Sequence, residues 1–317
     1  MLMKNITKIT CFVILGFACA GMSISCGYLA TDGSAQTDRG SEIAAFEQPI
    51  RSGVLRSREL KEASGIAASK CQTDVYWVHN DSGDGALLYA IDGIGQQLGV
   101  WRVNGAKNRD WEDIAAIKDQ AGKCQVVIGD IGNNGFERKQ LSVYRVAEPA
   151  VDKSRPPTGS PPSETAPAET LNFHYPDALR NSETLLVHPT SGDIYVLTKS
   201  KKEPVSVYKL RPDFSGTEQM AVKIAEFGVP AVPNGLLTGG DISPDGEHIV
   251  LCDYVYGYEL SLPALSTNFD DIWKQQPRRF NLGDRAVGEA VAYTPASDAV
   301  IAISEDVNSP VYLVKRK

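Results

Sequence analysis

Three glutamates, Glu112, Glu183 and Glu289, stand at matching places in three similar stretches of this 317-residue chain. Each lies two positions before an aliphatic residue: Ile114, Leu185 and Val291. Carboxylates gathered in one place repel one another unless a cation or a proton comes between them. Two chemistries follow. A hard cation such as Ca2+ takes carboxylate, amide and carbonyl oxygens, which predicts a metal at Glu112, Glu183 and Glu289. Alternatively, one carboxyl stays protonated and acts as a general acid opposite an ionised partner, which makes the same three residues candidate catalytic groups. His79 joins them as a candidate base or metal ligand. A hydrogen-bonded structural histidine is an equal reading of it.

Further oxygen and nitrogen donors recur in the same places. Asn80, Asp81 and Asp84 sit in Asn80-Asp81-Ser82-Gly83-Asp84, spaced like part of a calcium loop but without the later Glu of an EF-hand. Asp113, Asp130, Asn133, Lys199, Asp241, Asp253 and Glu305 complete the candidate ligand-binding set, with Glu62, Ser64 and Asp306 beside them. Any one of these residues reads equally well as a turn or cap. Their recurrence in every repeat points to a shared binding face. With only four histidines, two of them (His188 and His248) beside hairpin turns, the sequence disfavours a multi-histidine zinc site. No nucleophile elbow, P-loop or dinucleotide-binding glycine motif occurs in a strand–helix context.

The elements that position these groups are short strands in a repeat. Five segments begin at Glu62-Ala-Ser-Gly-Ile, Asp110-Trp-Glu-Asp-Ile, Asn181-Ser-Glu-Thr-Leu, Gly239-Gly-Asp-Ile and Gly288-Glu-Ala-Val. Each is followed by a turn and a second apolar strand, such as Val75-Tyr-Trp-Val or Val300-Ile-Ala-Ile. Third strands follow near Leu87, Leu141, Val205, Tyr256 and Val311. The turns His188-Pro-Thr-Ser-Gly-Asp, Ser243-Pro-Asp-Gly-Glu and Thr294-Pro-Ala-Ser-Asp carry hairpin residues. Ile66 to Ile114 and Ile242 to Val291 give a period of about 48 residues. That is an all-β fold of propeller type: five four-stranded blades, or six if two have been merged, with a β-sandwich as the alternative. The last repeat ends at its third strand, so residues around Ile50 to Leu55 are expected to supply the fourth and close the ring. In a blade, the start of the first strand and the end of the second share a face. The candidate residues therefore surround one mouth of the central channel.

The ends and interruptions complete the organisation. Lys4 and Lys8 precede an apolar run from Ile9 to Ala20, which reads as an export signal over residues 1–25. Ser23-Ile24-Ser25-Cys26 is similar to a lipobox, with lipidation at Cys26; cleavage after Ala18-Cys19-Ala20 is the other ending. A polar tether over 26–48 then leads to the propeller, 49–317. The chain is thus expected to be exported, either as a cell-envelope lipoprotein on the periplasmic or surface side or, if cut after Ala20, as a secreted protein. Residues 149–169, rich in proline, form a surface loop within the domain, and Pro263 to Trp273 holds a short helix. The formal charge of -7 disfavours nucleic acid and anionic lipid as partners, leaving the membrane only through a lipid anchor. Cys71 and Cys124, in the matched strings Ser69-Lys-Cys-Gln and Gly122-Lys-Cys-Gln, lie opposite the acidic face, where export permits a disulfide. Cys252 is left as a lone buried thiol.

The strings Trp77-Val-His-Asn-Asp-Ser-Gly-Asp, Asn108-Arg-Asp-Trp-Glu-Asp-Ile-Ala and Gly129-Asp-Ile-Gly-Asn-Asn resemble an uncharacterised family of secreted bacterial β-propellers of the YVTN, NHL and TolB-like class. The resemblance covers about residues 55 to 317 and implies the fold, with no agreed activity to transfer. Trp77-Val-His-Asn-Asp-Ser-Gly also resembles the Trp-x-Asn-Asp-x-x-Gly element of five-bladed fructan hydrolases, with His79 as an extra residue. The function expected is binding of a small molecule, glycan or envelope protein at an acidic, Ca2+-binding mouth. The alternatives are a carboxylate- or metal-dependent hydrolase of a glycoside, lactone or phosphoester, and a structural component of an envelope assembly.

Overall fold

Strands that are buried on both faces read as continuous apolar runs, whereas those at a rim alternate. The chain shows both kinds in a fixed order. In the computed structural model, which describes residues 45–154, 162–201, 203–229 and 236–317, each repeat starts with two strands buried over all or nearly all their length and ends with a partly exposed one. The expected leader (1–25), the lipidation at Cys26, most of the tether and the middle of the proline-rich loop lie outside the described residues. Among the described residues, no helix is long and apolar enough to cross a membrane.

Strand β1 (Ile50–Val54) precedes the first blade, which is β2 (Ala63–Ala68), β3 (Tyr76–Asn80), β4 (Leu87–Ile91) and β5 (Gln97–Arg102). The second blade is β6 (Trp111–Lys118), β7 (Cys124–Asp130), β8 (Leu141–Ala147) and β10 (Glu169–His174), with β9 (Ser163–Glu164) between the last two in sequence. The third is β11 (Ser182–Val187), β12 (Ile194–Thr198), β13 (Val205–Leu210) and β15 (Val222–Phe227), and β14 (Gln219–Met220) precedes its outer strand. The fourth is β16 (Leu237–Ile242), β17 (His248–Asp253), β18 (Tyr256–Ser261) and β19 (Arg278–Asn281). The fifth is β20 (Gly288–Tyr293), β21 (Ala299–Ser304) and β22 (Pro310–Lys315), completed by β1, which pairs antiparallel with β22. The all-β fold is therefore a propeller of five four-stranded blades, closed by the N-terminal strand. Closure removes an exposed sheet edge.

Five buried apolar clusters correspond to the five junctions between blades. Ile114 and Val126 pack with Trp77 and Leu88 between the first two blades, and Ile301 and Val311 pack with Ile66 and Val78 where the ring closes. The other three clusters join blades two to three, three to four and four to five. Inner strands crowd together near the axis, and this selects small residues there. A Cβ on Gly65 would lie 2.9 Å from the Ile114 side chain, and one on Gly239 would lie 2.7 Å from the Glu289 carbonyl oxygen.

Two outer edges are covered by chain from the following blade. Ser163 and Glu164 pair with Trp101 and Arg102, so the end of the proline-rich loop staples the rim of blade one. Gln219 and Met220 pair with Phe173 and His174 on blade two. The expected short helix is a 3-10 helix at Phe269–Lys274, capped by Asn268 and burying Ile272 and Trp273. Cys71 and Cys124 form a disulfide between blades one and two, and Cys252 is a buried free thiol.

Candidate functional site

One irregularity recurs in all five inner strands. The pairing with the second strand slips between Ala63 and Gly65, Trp111 and Asp113, Ser182 and Thr184, Leu237 and Gly239, and Gly288 and Ala290. A bulge leaves one residue unpaired and re-aims its side chain. The five bulged residues are Ser64, Glu112, Glu183, Thr238 and Glu289. Ser64 and Thr238 satisfy their hydroxyls on the next blade, donating to the carbonyls of Glu112 (2.7 Å) and Gly288 (3.0 Å). The three glutamates are only 3–6% exposed, so three carboxylates of one ring are sunk into the channel mouth.

The second strands hold this mouth in shape. Asn80 and Asp130 accept the backbone N–H of Glu62 (3.2 Å) and Asp110 (3.0 Å), the residues leading into the first strands of their own blades. Ser304 does the same for Val287 at 3.0 Å. Asp253 turns the other way, accepting from Val255, Tyr256 and the Tyr258 hydroxyl. Asp84 accepts from Asn80 Nδ2 and the Tyr89 hydroxyl. Asn133 knits its own loop, accepting from the N–H groups of Glu137 and Arg138 and donating to the carbonyls of Arg138 and Arg180. Asp130 is also paired with Arg138 at 2.9 Å. The structure thus commits Asn80, Asp84, Asp130, Asn133 and Asp253 to hydrogen bonds that shape the loops.

Asp81, Asp110 and Glu112 come together differently. Each offers one carboxylate oxygen, and the three oxygens lie within 4.8 Å of one another. Gly132 makes room for them: a Cβ there would overlap the carboxylates of both Glu112 and Asp110. Asn108 ties the approach to blade two onto blade one, donating to the Asp81 carbonyl at 2.9 Å while accepting from Trp111 N–H at 3.1 Å.

Lys199 is the counter-charge. Its ammonium lies 2.5 Å from Glu183 Oε2 and 4.9 Å from the Tyr254 ring centre, and Asn181 Nδ2 holds Glu183 Oε1 at 3.0 Å. Burial disfavours its charge, but Glu183 and Glu289 outweigh burial and push its pKa up. One lysine does not neutralise the ring. Burial, then repulsion from Glu183, Asp81 and Asp110, raises Glu112 well above the usual carboxylate range. Burial also raises Asp110 against the pull of Arg138, and raises Asp81 against the Ser82 N–H. Glu305 is raised by burial and by Asp81 and Glu62. Burial lifts Glu289 to about 8 despite Lys199, with Glu183, Glu305 and Asp81 adding to the rise. Its Oε2 is buried without any hydrogen-bond partner.

Three candidate residues lie deeper or elsewhere. His79 is fully buried, edge-on to Trp111, with Nδ1 2.9 Å from the Asn80 carbonyl. Burial lowers its pKa to about 4, against the Asn80 and Asp113 carbonyls. Its ring is neutral packing at ordinary pH. Asp113 sits one residue beyond the ring and accepts the N–H of Leu185 (2.9 Å) and Gly240 (3.2 Å), clamping blades two, three and four. Asp241 is three residues past the bulge of blade four. It accepts the N–H of Tyr293 at 3.0 Å and feels the charge of Lys70, beside the disulfide. The alignment of Ile242 with Val291 misplaces it: Gly240 occupies the position equivalent to Val291, and Thr238 is the ring residue.

Sequence reasoning missed Asp110, Tyr254 and Gly132 as site residues. Asp110 precedes its strand just as Glu62 and Asn181 precede theirs, so the repeat itself carried the signal.

No family model and no curated protein matches the chain. Among solved structures, Kuenenia stuttgartiensis hydrazine synthase is similar at 12% identity with a TM-score of 0.41, covering 80% of this chain and 83% of that one. No property of that enzyme transfers to this chain.

Proposed function

We propose that the protein is an exported β-propeller that binds a ligand at its acidic mouth through a hard divalent cation, Ca2+ foremost. The observation that carries this reading is the convergence of one oxygen each from Asp81, Asp110 and Glu112 within 4.8 Å. Oxygens around a Ca2+ at about 2.3–2.6 Å span such distances. Glu289, whose buried Oε2 has no partner, faces the same charges. Glu183, by contrast, is neutralised by Lys199. The cation is thus assigned to Asp81, Asp110 and Glu112 rather than to the three ring glutamates together. The Cys71–Cys124 disulfide supports an oxidising compartment and so an exported, lipid-anchored or secreted chain.

The test is calorimetric titration of EDTA-treated protein with Ca2+, Mg2+ and Zn2+, alongside thermal unfolding. A ligand that binds only the folded state raises the melting temperature with its concentration. Saturable binding that Asp110→Asn abolishes is the expected result. No heat and no shift with any ion overturns the reading.

A hydrolytic reading has one observation of its own. Glu289, with a pKa of about 8, carries a proton at neutral pH, and the neighbouring ring residue Glu183 is ion-paired with Lys199. A protonated carboxyl near a second carboxylate suits general acid–base cleavage of a glycoside, lactone or phosphoester. Chromogenic substrates of those classes test it, and the activity must fall in Glu289→Gln.

A further inference from the structure

Beside the acidic ring lies a cavity of about 810 Å3, bounded by loops of blades two, three and four. Its apolar wall is made by Phe136, Leu179, Leu236 and Tyr254, and Lys199 and Lys201 stand on the same lining. Glu203 also borders it but is held by Arg180 at 2.6 Å. Lys199 is already paired with Glu183 at 2.5 Å, which leaves Lys201 as the positive charge that the wall presents, on a chain whose formal charge is -7.

Phe136 is the informative residue. It is 54% exposed, and its backbone has φ of 52°, a left-handed conformation that is an outlier for a bulky side chain. Such strain persists only where the surroundings over-determine it, and it clusters at functional sites. The surroundings here do so. Asn133 pins the turn from both sides of its amide, Phe136 N–H donates to the Asn133 carbonyl at 2.9 Å, and Arg138 donates to the Gly132 and Asp130 carbonyls. A glycine would fit this backbone without cost. The chain instead holds a large aromatic ring out on a rigid loop, over the cavity.

We infer that this cavity binds an organic anion with an aromatic or hydrocarbon body: the body lies on Phe136, Leu179 and Leu236, and the anionic group faces Lys201. The apolar wall supplies desolvation, in which a rigid aromatic anchor contributes the most. Lys201 supplies the charge preference. This goes beyond the cation reading and stands on different residues.

The probe is 8-anilinonaphthalene-1-sulfonate, titrated by fluorescence into the purified protein. N-phenyl-1-naphthylamine, the same ring system without the sulfonate, is the neutral control. The sulfonate is expected to bind with saturation at one site per chain and about tenfold more tightly than the neutral probe. Phe136→Gly is expected to weaken it about tenfold with no fall in melting temperature, because glycine relieves the strained backbone. A structural role for the ring would lower the melting temperature instead. Lys201→Glu should weaken the sulfonate and leave the neutral probe unchanged. The inference is overturned if the sulfonate fails to saturate, if both probes bind equally, or if Phe136→Gly binds like the parent.

Discussion

The Lys199 ammonium stands 2.5 Å from the Glu183 carboxylate and serves the whole ring, since Glu112, Asp81, Glu289 and Glu305 also feel its charge. Removing one partner of a buried pair leaves the other charge uncompensated, at a cost of about 3–5 kcal/mol. Lys199→Met should therefore melt well below the parent in EDTA. Added Ca2+ should return part of the loss, because the ion supplies the missing positive charge. Differential scanning calorimetry with and without Ca2+ decides it. A variant that melts with the parent in EDTA would mean that Lys199 is not the counter-charge.

Asp113 tests the clamp on the axis rather than the mouth. Its carboxylate receives the N–H groups of Leu185 and Gly240 from two other blades. Asp113→Ala leaves both donors buried and unsatisfied, each costing about 1–3 kcal/mol. Urea unfolding should show a loss of about 2–6 kcal/mol, and the Leu185 and Gly240 amides should exchange faster with solvent. Cation binding at Asp81, Asp110 and Glu112 should survive. Unchanged exchange at both amides would contradict the clamp.

The blade pattern was legible because burial on both faces imposes apolar runs, and hairpins impose Pro, Gly and Asp at fixed offsets. The equivalence of Glu112, Glu183 and Glu289 followed directly, and so did the closing strand at Ile50. Blade four was misread by two residues. Crowding at the axis had replaced the aliphatic marker with Gly240, so the pattern matched the next aliphatic residue, Ile242. What sequence could not separate was a carboxylate that locks a loop from one that faces the ring. Asp130 ends β7 as Asn80 ends β3, and it is consumed by the Asp110 N–H and Arg138, whereas Asp81 lies one residue further on and turns to the ring. That one-residue offset marks the difference only once the strand ends are known.

Glu289 predicts a pH dependence of opposite sign to that of most carboxylates. Its folded pKa is raised to about 8 from an ordinary 4.5, so between those values the native state holds a proton that the unfolded chain has released. Its contribution to stability is full below pH 4.5 and is lost as pH rises to 8, by about 1.4 kcal/mol per unit at most. Glu289→Gln removes this dependence. Relative to the parent, it should gain stability steadily from pH 5 to pH 8 in EDTA-treated protein, followed by urea unfolding. A constant difference across that range would show that the Glu289 carboxyl titrates normally.

The disulfide predicts a stability effect confined to the far face. Cys71 and Cys124 close a loop with a sequence separation of 53, which in the chain-entropy account corresponds to about 4 kcal/mol. The same two blades are also joined there by Gln72, which donates to Glu148 Oε1 and the Pro149 carbonyl and accepts from Val151 N–H at 2.7 Å. Cys71→Ser with Cys124→Ser should therefore keep the native fold while lowering the melting temperature. Adding Gln72→Ala should lower it by more than the sum of the separate changes, since each link limits the opening that loss of the other permits. Calcium titration should be unmoved in all of these variants, because the mouth lies at the other end of the channel. A cation affinity that falls with the disulfide would mean that the two ends of the first two blades are coupled, and that the ring is less rigid than its buried strands imply.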